Sequence, residues 1–224
     1  MPIKNFKGDT FVAFVDISGF KELIRQEKRA WEALDRFYQL GYDVLKKHSS
    51  PDNALSIEGI FVSDCGILFV RGDNSNAERL LTLLKAIQEI NKGMLEKGFM
   101  LTTSIAYGPF KYQQRIEFPG IEKNAVYGSA YLGAYLDSAA EKPTIQPGQC
   151  RIVIDNLPQE VLVQLDNNRP QGILKEVRKE SNKHYYFYWN ITGSEEITDF
   201  KQRYNDSYNL KYEGMLKALK GENG

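Results

Sequence analysis

Asp16 and Asp64, 48 residues apart, are the residues of this chain best suited to chemistry. Asp16 closes an uninterrupted apolar run, Phe11-Val12-Ala13-Phe14-Val15, whose β-branched and aromatic side chains are those of a buried strand. Ser18 and Gly19 follow and open a helix whose first apolar positions, Phe20, Leu23 and Ile24, are spaced as one helical face requires. A carboxylate at a strand tip can hold a hard divalent cation, and the free N–H groups of a helix start attract phosphate. One reading of this stretch is a metal–polyphosphate site; the other is an aspartate that merely caps or precedes the helix. Asp64 lies in Ser63-Asp64-Cys65, between apolar runs at 55–62 and 66–70 whose spacing predicts a tight hairpin. If the fold brings the two carboxylates together, they repel unless a cation sits between them, which favours the metal reading.

The elements that must position them follow from periodicity. Residues 20 to about 47 carry an amphipathic pattern that predicts one long helix, with Gly41 as a weak point. The segment 49–53 breaks it, and the hairpin holding Asp64 comes next. Residues 76–97 predict a second helix, with Leu80, Leu83, Leu84, Ile87, Ile90 and Met94 on its buried side. Residues 101–107 read as a strand that Gly108-Pro109 turns into another at 110–117, followed by a charged loop at 118–124. A helix dense in small residues is expected over 128–142, then a strand at 151–154 and a short helix at 158–165. A closing strand pair at 174–178 and 184–191 and a polar helix at about 195–220 complete the chain. The order strand–helix–strand–strand–helix–strand predicts an α+β fold: a ferredoxin-like βαββαβ palm core, an antiparallel sheet with its helices on one face, plus extra C-terminal strands and a helix. That topology makes the first strand central and sets Asp16 beside the hairpin of Asp64. Residues 1–224 read as one domain, with its core at about 9–190.

Composition narrows the possibilities. Lys plus Arg and Asp plus Glu balance at 29 each, which argues against a non-specific nucleic-acid binder. Cys65 and Cys150 lack metal-site spacing and read as small residues of a reducing compartment. No stretch reaches transmembrane length and the N-terminus lacks an apolar signal region, so a soluble, cytoplasmic protein without a membrane partner is expected.

The stretch FVDISGF resembles the first metal-binding motif of class III nucleotidyl cyclase catalytic domains. VSDCGILF resembles the hairpin of that family's second metal aspartate, TTSIAYGPF the strand after it, and VYGSAYLGAYLDSAAEK the helix after its dimerisation arm. The resemblance covers residues 9 to 190 or so. It implies two divalent cations (Mn2+ or Mg2+) held by Asp16, the Ile17 carbonyl and Asp64. It also implies phosphate contacts from the amides of Ser18, Gly19 and Phe20, and a homodimer with shared active sites. The family's purine-reading Lys falls at Ile60 and its partner at Ala125, so neither purine reader is present. The Asn and Arg that usually steady the transition state fall at Tyr131 and Tyr135. With the metal pair kept and the purine readers lost, the chain looks like the stand-alone pyrimidine cyclases of bacterial Pycsar anti-phage systems. That implies conversion of UTP to 3′,5′-cyclic UMP and pyrophosphate, with CTP and cyclic CMP as the alternative. A non-catalytic module on the cyclase fold and a palm-fold polymerase or cyclic-oligonucleotide synthase are the competing functions.

Lys183 lies where relatives have a phosphate-binding Lys, although an exposed turn lysine explains it as well. Arg71 and Arg115 are open to the same two readings, phosphate contact or plain surface cation. Tyr131 and Tyr135 lie one helical turn apart and either act at the site or pack. His48 and His184 have no evident companions in sequence and are assigned no role.

Overall fold

The computed structural model describes residues 3–49, 55–118, 121–166 and 172–190, with side chains undescribed at 115–118 and 121–124. The expected helix at 195–220 and Arg115's side chain therefore lie outside the described residues. The chain runs β1 (Phe6–Ile17), α1 (Phe20–Leu23), α2 (Glu27–His48), β2 (Ser56–Val62), β3 (Cys65–Arg71), α3 (Asn76–Leu95), β4 (Leu101–Phe118) and β5 (Ile121–Tyr127). It continues with α4 (Ser129–Ser138), β6 (Cys150–Val153), α5 (Gln159–Leu165), a 3-10 turn (Gly172–Glu176), β7 (Val177–Lys179) and β8 (His184–Phe187).

The sheet order is β2-β3-β1-β4-β6-β8-β7, with β5 folded back on β4. All pairings are antiparallel except β4 with β6. β1 is central, as its apolar run predicts. Its alternate residues divide between two cores. Phe11, Ala13, Val15 and Ile17 face the main core with α2 and α3, whereas Val12 and Phe14 belong to smaller clusters that include Ala130 and Ala134 of α4. Asp16 follows the same alternation and lies on the α4 side. The two helices of the βαββαβ core, α2 and α3, share one face as expected, and α4, an added element, covers the opposite one.

Several boundaries differ from the sequence reading, each for a tertiary reason. The long helix at 20–47 is two helices. The Arg29 guanidinium lies 4.3 Å above the Phe99 ring and donates to Lys97 O at 3.2 Å, which ties the start of α2 to the loop after α3. Ile24, placed on the apolar face of that helix, is 59% exposed, and Trp31 within the same span is 64% exposed. Gly41 is a packing requirement rather than a weak point, because a Cβ there would stand 2.2 Å from Phe61 Cζ. Gly108-Pro109 makes no turn: β1 begins at Phe6, and its first half pairs with β4 through Asp9↔Pro109 to Phe6↔Tyr112, keeping the strand straight. The loop expected at 118–124 instead contributes β5, which pairs back along β4. Finally, α4 stops at Ser138 rather than 142, and most of the expected strand at 174–178 is 3-10 turn.

Candidate active site

β1 and the β2–β3 hairpin meet at the two aspartates. Asp16 pairs with Cys65 in the ladder, and the Ile17 N–H donates to Asp64 O at 2.9 Å, which pulls the hairpin turn against the end of β1. The turn itself is Ser63-Asp64, with Ser63 at φ 54, between the paired ends Val62 and Cys65. Burial, reinforced by the neighbouring Asp64 charge, pushes the Asp16 carboxyl up from its ordinary 3.8 to about 7. Cys65 is pushed up by burial and by the charges of Asp64 and Asp16.

These residues fit a hard cation. Two carboxylates are held together at a cost that a divalent ion would relieve. Beside them Ser18 Oγ, on a residue only 4% exposed, has no hydrogen-bond partner among the described residues. Oxygen donors are what Mg2+ and Mn2+ prefer. Among the described residues no cluster of three or more His, Cys, Asp or Glu side chains forms.

Of the three amides expected to meet phosphate, that of Ser18 is already engaged, donating to Met100 O at 2.9 Å. The Gly19 and Phe20 N–H groups have no intrachain acceptor among the described residues. Gly19 takes φ 72, a left-handed conformation that starts α1 immediately after the strand.

On the α4 side, Tyr131 and Tyr135 stack with centroids 6.2 Å apart, and Tyr135 meets the edge of Phe14 at 5.5 Å. Phe14 precedes Asp16 by two residues on the same strand face. Tyr131 packs against the cluster of Phe14, Ala106 and Ala134, as do Ile67 and Cys65 of the hairpin that holds Asp64. Its hydroxyl is pushed up by burial and by its Cys65 and Tyr135 neighbours. Ile60 pairs with Ile67 and packs against the cluster of Val12, Phe69, Phe110 and Tyr112. Ala125, on β5, pairs with Gln113.

Lys183 is not brought to Asp16. His184 pairs with Val153, Ile152 with Ile105, and Ile105 with Ala13, which puts Lys183 level with Phe11 and three strands away. At ~3.3 Å per residue and ~4.8 Å per strand, it stands roughly 20 Å from Asp16 within one chain. Arg71 is occupied elsewhere, holding Glu58 at 2.8 Å and the Lys4 carbonyl at 2.6 Å.

Sequence reasoning missed a buried polar cluster at the end of α4. Arg151, wholly buried, donates from Nε and Nη2 to Asp137 Oδ2 and O at 3.1 and 2.7 Å, and from Nη1 to Pro143 O at 2.8 Å. Ser104 Oγ donates to Asp137 Oδ2 at 2.5 Å, and His184 Nε2 lies 2.7 Å from Asp137 Oδ1. Burial alone would raise the Asp137 carboxyl, but the hydrogen bonds from His184 and Ser104 and the Arg151 charge outweigh it and hold it low. Residues 104, 137, 151 and 184 share no local pattern; the only signal was an arginine placed inside an apolar strand.

The fold is that of nucleotide cyclase catalytic domains. The chain is similar to the guanylyl cyclase Cya2 at 15% identity, with TM-score 0.53 and 83% of this chain and 93% of that one covered. It is similar to the adenylyl cyclase CyaB from P. aeruginosa at 17% identity and TM-score 0.52, covering 86% and 98%. The guanylate cyclase domain of RhGC from Catenaria anguillulae, solved with GTP, matches at 14% identity and TM-score 0.54 over 83% and 97%. At these identities the likeness is one of fold. No protein-family model and no curated protein matches the chain. Among the described residues no helix is long and apolar enough to cross a membrane.

Proposed function

We propose that the chain is a pyrimidine nucleotide cyclase that converts UTP to 3′,5′-cyclic UMP and pyrophosphate, a signal in anti-phage defence. The observation that carries the reading is the convergence of Asp16 and Asp64 at the end of β1, with Asp16 raised to about 7. Two divalent cations, Mn2+ or Mg2+, when bound there by the two carboxylates and the Ile17 carbonyl, supply Lewis-acid activation of the ribose hydroxyl and neutralisation of the triphosphate. The chain's own groups do the rest. The Gly19 and Phe20 amides orient phosphate oxygens, and the buried Ser18 hydroxyl supplies a further polar contact. Tyr131 and Tyr135 face the reacting end from α4. The ribose O3′ forms a bond to the α-phosphorus, the bond from the α-phosphorus to the α,β-bridging oxygen breaks and releases pyrophosphate, and the hydroxyl proton passes to solvent water.

The base preference rests on Ile60 and Ala125. Neither side chain can hydrogen-bond a purine edge, and a site without matched partners rejects a base that needs them. We assign the chain a homodimer with two shared sites, supported by the position of Lys183, three strands and roughly 20 Å from Asp16 within one chain. An isologous two-fold dimer can bring a residue that distant in one chain to the partner's metal end.

The test is incubation of the purified protein with UTP, CTP, ATP or GTP plus Mn2+, with products identified by mass. Cyclic UMP as the main product is expected, and Asp16→Ala and Asp64→Ala should each abolish it. Cyclic CMP would move the substrate to CTP, and a cyclic purine nucleotide would reject the base assignment. Linked products would indicate a polymerase-like or oligonucleotide-synthase reaction. Nucleotide binding without product would make the chain a binding module.

A further inference from the structure

The small contact face of α4 leaves open what holds its tyrosines in place. Only Ala130 and Ala134 of this helix are buried among apolar residues, and Gly133 lies close to Ala106. Apart from the partly buried tyrosines themselves, that face offers only methyl groups and a glycine, too small to lock rotation or sliding over the sheet. The N-terminal end is pinned sterically, since a Cβ at Gly128 would stand 2.2 Å from Pro109 O. The other end has no comparable apolar anchor, for Leu132 and Leu136 are 52% and 55% exposed. It ends instead on Asp137, gripped from three strands at once: by Ser104 of β4, Arg151 of β6 and His184 of β8. Arg151 grips the Asp137 side chain and its main-chain carbonyl together, a fork that defines both direction and depth.

We propose that Arg151, through Asp137 and with Ser104 and His184, is a positioning residue that sets the rotation and depth of α4 and so places Tyr131 and Tyr135 at the Asp16–Asp64 end. Asp137 follows Tyr135 by two residues, so a helix freed at this end swings the stacked tyrosines away from Phe14 and Cys65. The effect on turnover rests on the cyclase reading; the effect on tyrosine placement does not.

The test uses two readouts in a Cys150→Ala background, so that only the Cys65 thiol, which shares with Tyr131 the cluster of Phe14, Ala106 and Ala134, reacts with a thiol-specific reagent. The main variant is the triple Asp137→Leu, Arg151→Met, His184→Phe. It removes the charges together and leaves no buried unpaired ion, so the fold survives while the directional grip is lost. Arg151→Lys keeps the charge but loses the fork. The expected result is a native-like melt with Cys65 modification several-fold faster in both variants. In UTP turnover kcat should drop on the order of tenfold or more with KM little changed, since misplacing groups that act in the transition state lowers kcat. Wild-type labelling rates and wild-type kcat in the folded triple variant would overturn the proposal. If the triple variant fails to fold, Arg151→Lys decides on the same readouts. If the wild type turns over no nucleotide, the cyclase reading falls and Cys65 labelling alone decides whether Arg151 positions α4.

Discussion

Replacing Asp16 by Asn should make the metal-free protein more stable, and the size of the gain can be worked out. Burial and the neighbouring Asp64 charge raise the Asp16 carboxyl from 3.8 to about 7 in the folded chain. A carboxyl with a raised folded pKa binds more protons folded than unfolded between those two values. Stability is therefore lost as pH rises through that window and stays low above it. About three pH units at ~1.4 kcal/mol each set a ceiling of roughly 4 kcal/mol. The site is partly open to solvent, which screens the repulsion, so the expected penalty is about 2 kcal/mol. In a chain of this size that corresponds to roughly 4–8 °C in Tm. In EDTA at pH 8, Asp16→Asn should melt higher than wild type by about that amount, and near pH 4 the two should coincide. Adding Mn2+ should raise the wild-type Tm and leave the variant nearly unmoved, because a ligand that binds only the folded state stabilises it. An Asn variant that melts at or below wild type at pH 8, or a gap that does not change with pH, would refute the reasoning.

Ile60→Lys should lower pyrimidine turnover by burying an unpaired ammonium among Val12, Phe69 and Phe110, read as kcat/KM for UTP; unchanged or improved UTP use would dissociate position 60 from the base. Gly41→Ala gains up to ~1 kcal/mol of helix propensity. It also drives a methyl into Phe61, which Phe37 and Tyr42 hold at 5.0 and 5.4 Å, so a net loss of about 1–2 kcal/mol is expected in urea unfolding. Asp16→Ala mixed with Lys183→Ala, each inactive alone, should recover about a quarter of wild-type activity after subunit exchange, because about half the dimers then hold one intact site of two. Exchange shown by tagged pull-down with no recovery would reject the shared site.

The sequence by itself carried the central strand, the aspartate at its tip, the hairpin of Asp64 and the buried stripe of α3. Each of these rests on local periodicity or turn spacing, which is written in neighbouring residues. It also carried the order of elements that makes β1 central, and with it the expectation that positions 16 and 64 approach. Tertiary structure decided what depends on distant partners. Arg29 on Phe99 determined where α2 begins, and pairing with the first half of β1 kept β4 straight through a Gly-Pro that alone reads as a turn. The face chosen by α4 rests on small residues with no strong periodic signal, so only packing could assign it. The grip on Asp137 draws on residues from positions 104 to 184, and no local pattern connects them. The same holds for Lys183: only strand register shows that its turn lies level with Phe11 and three strands away from β1.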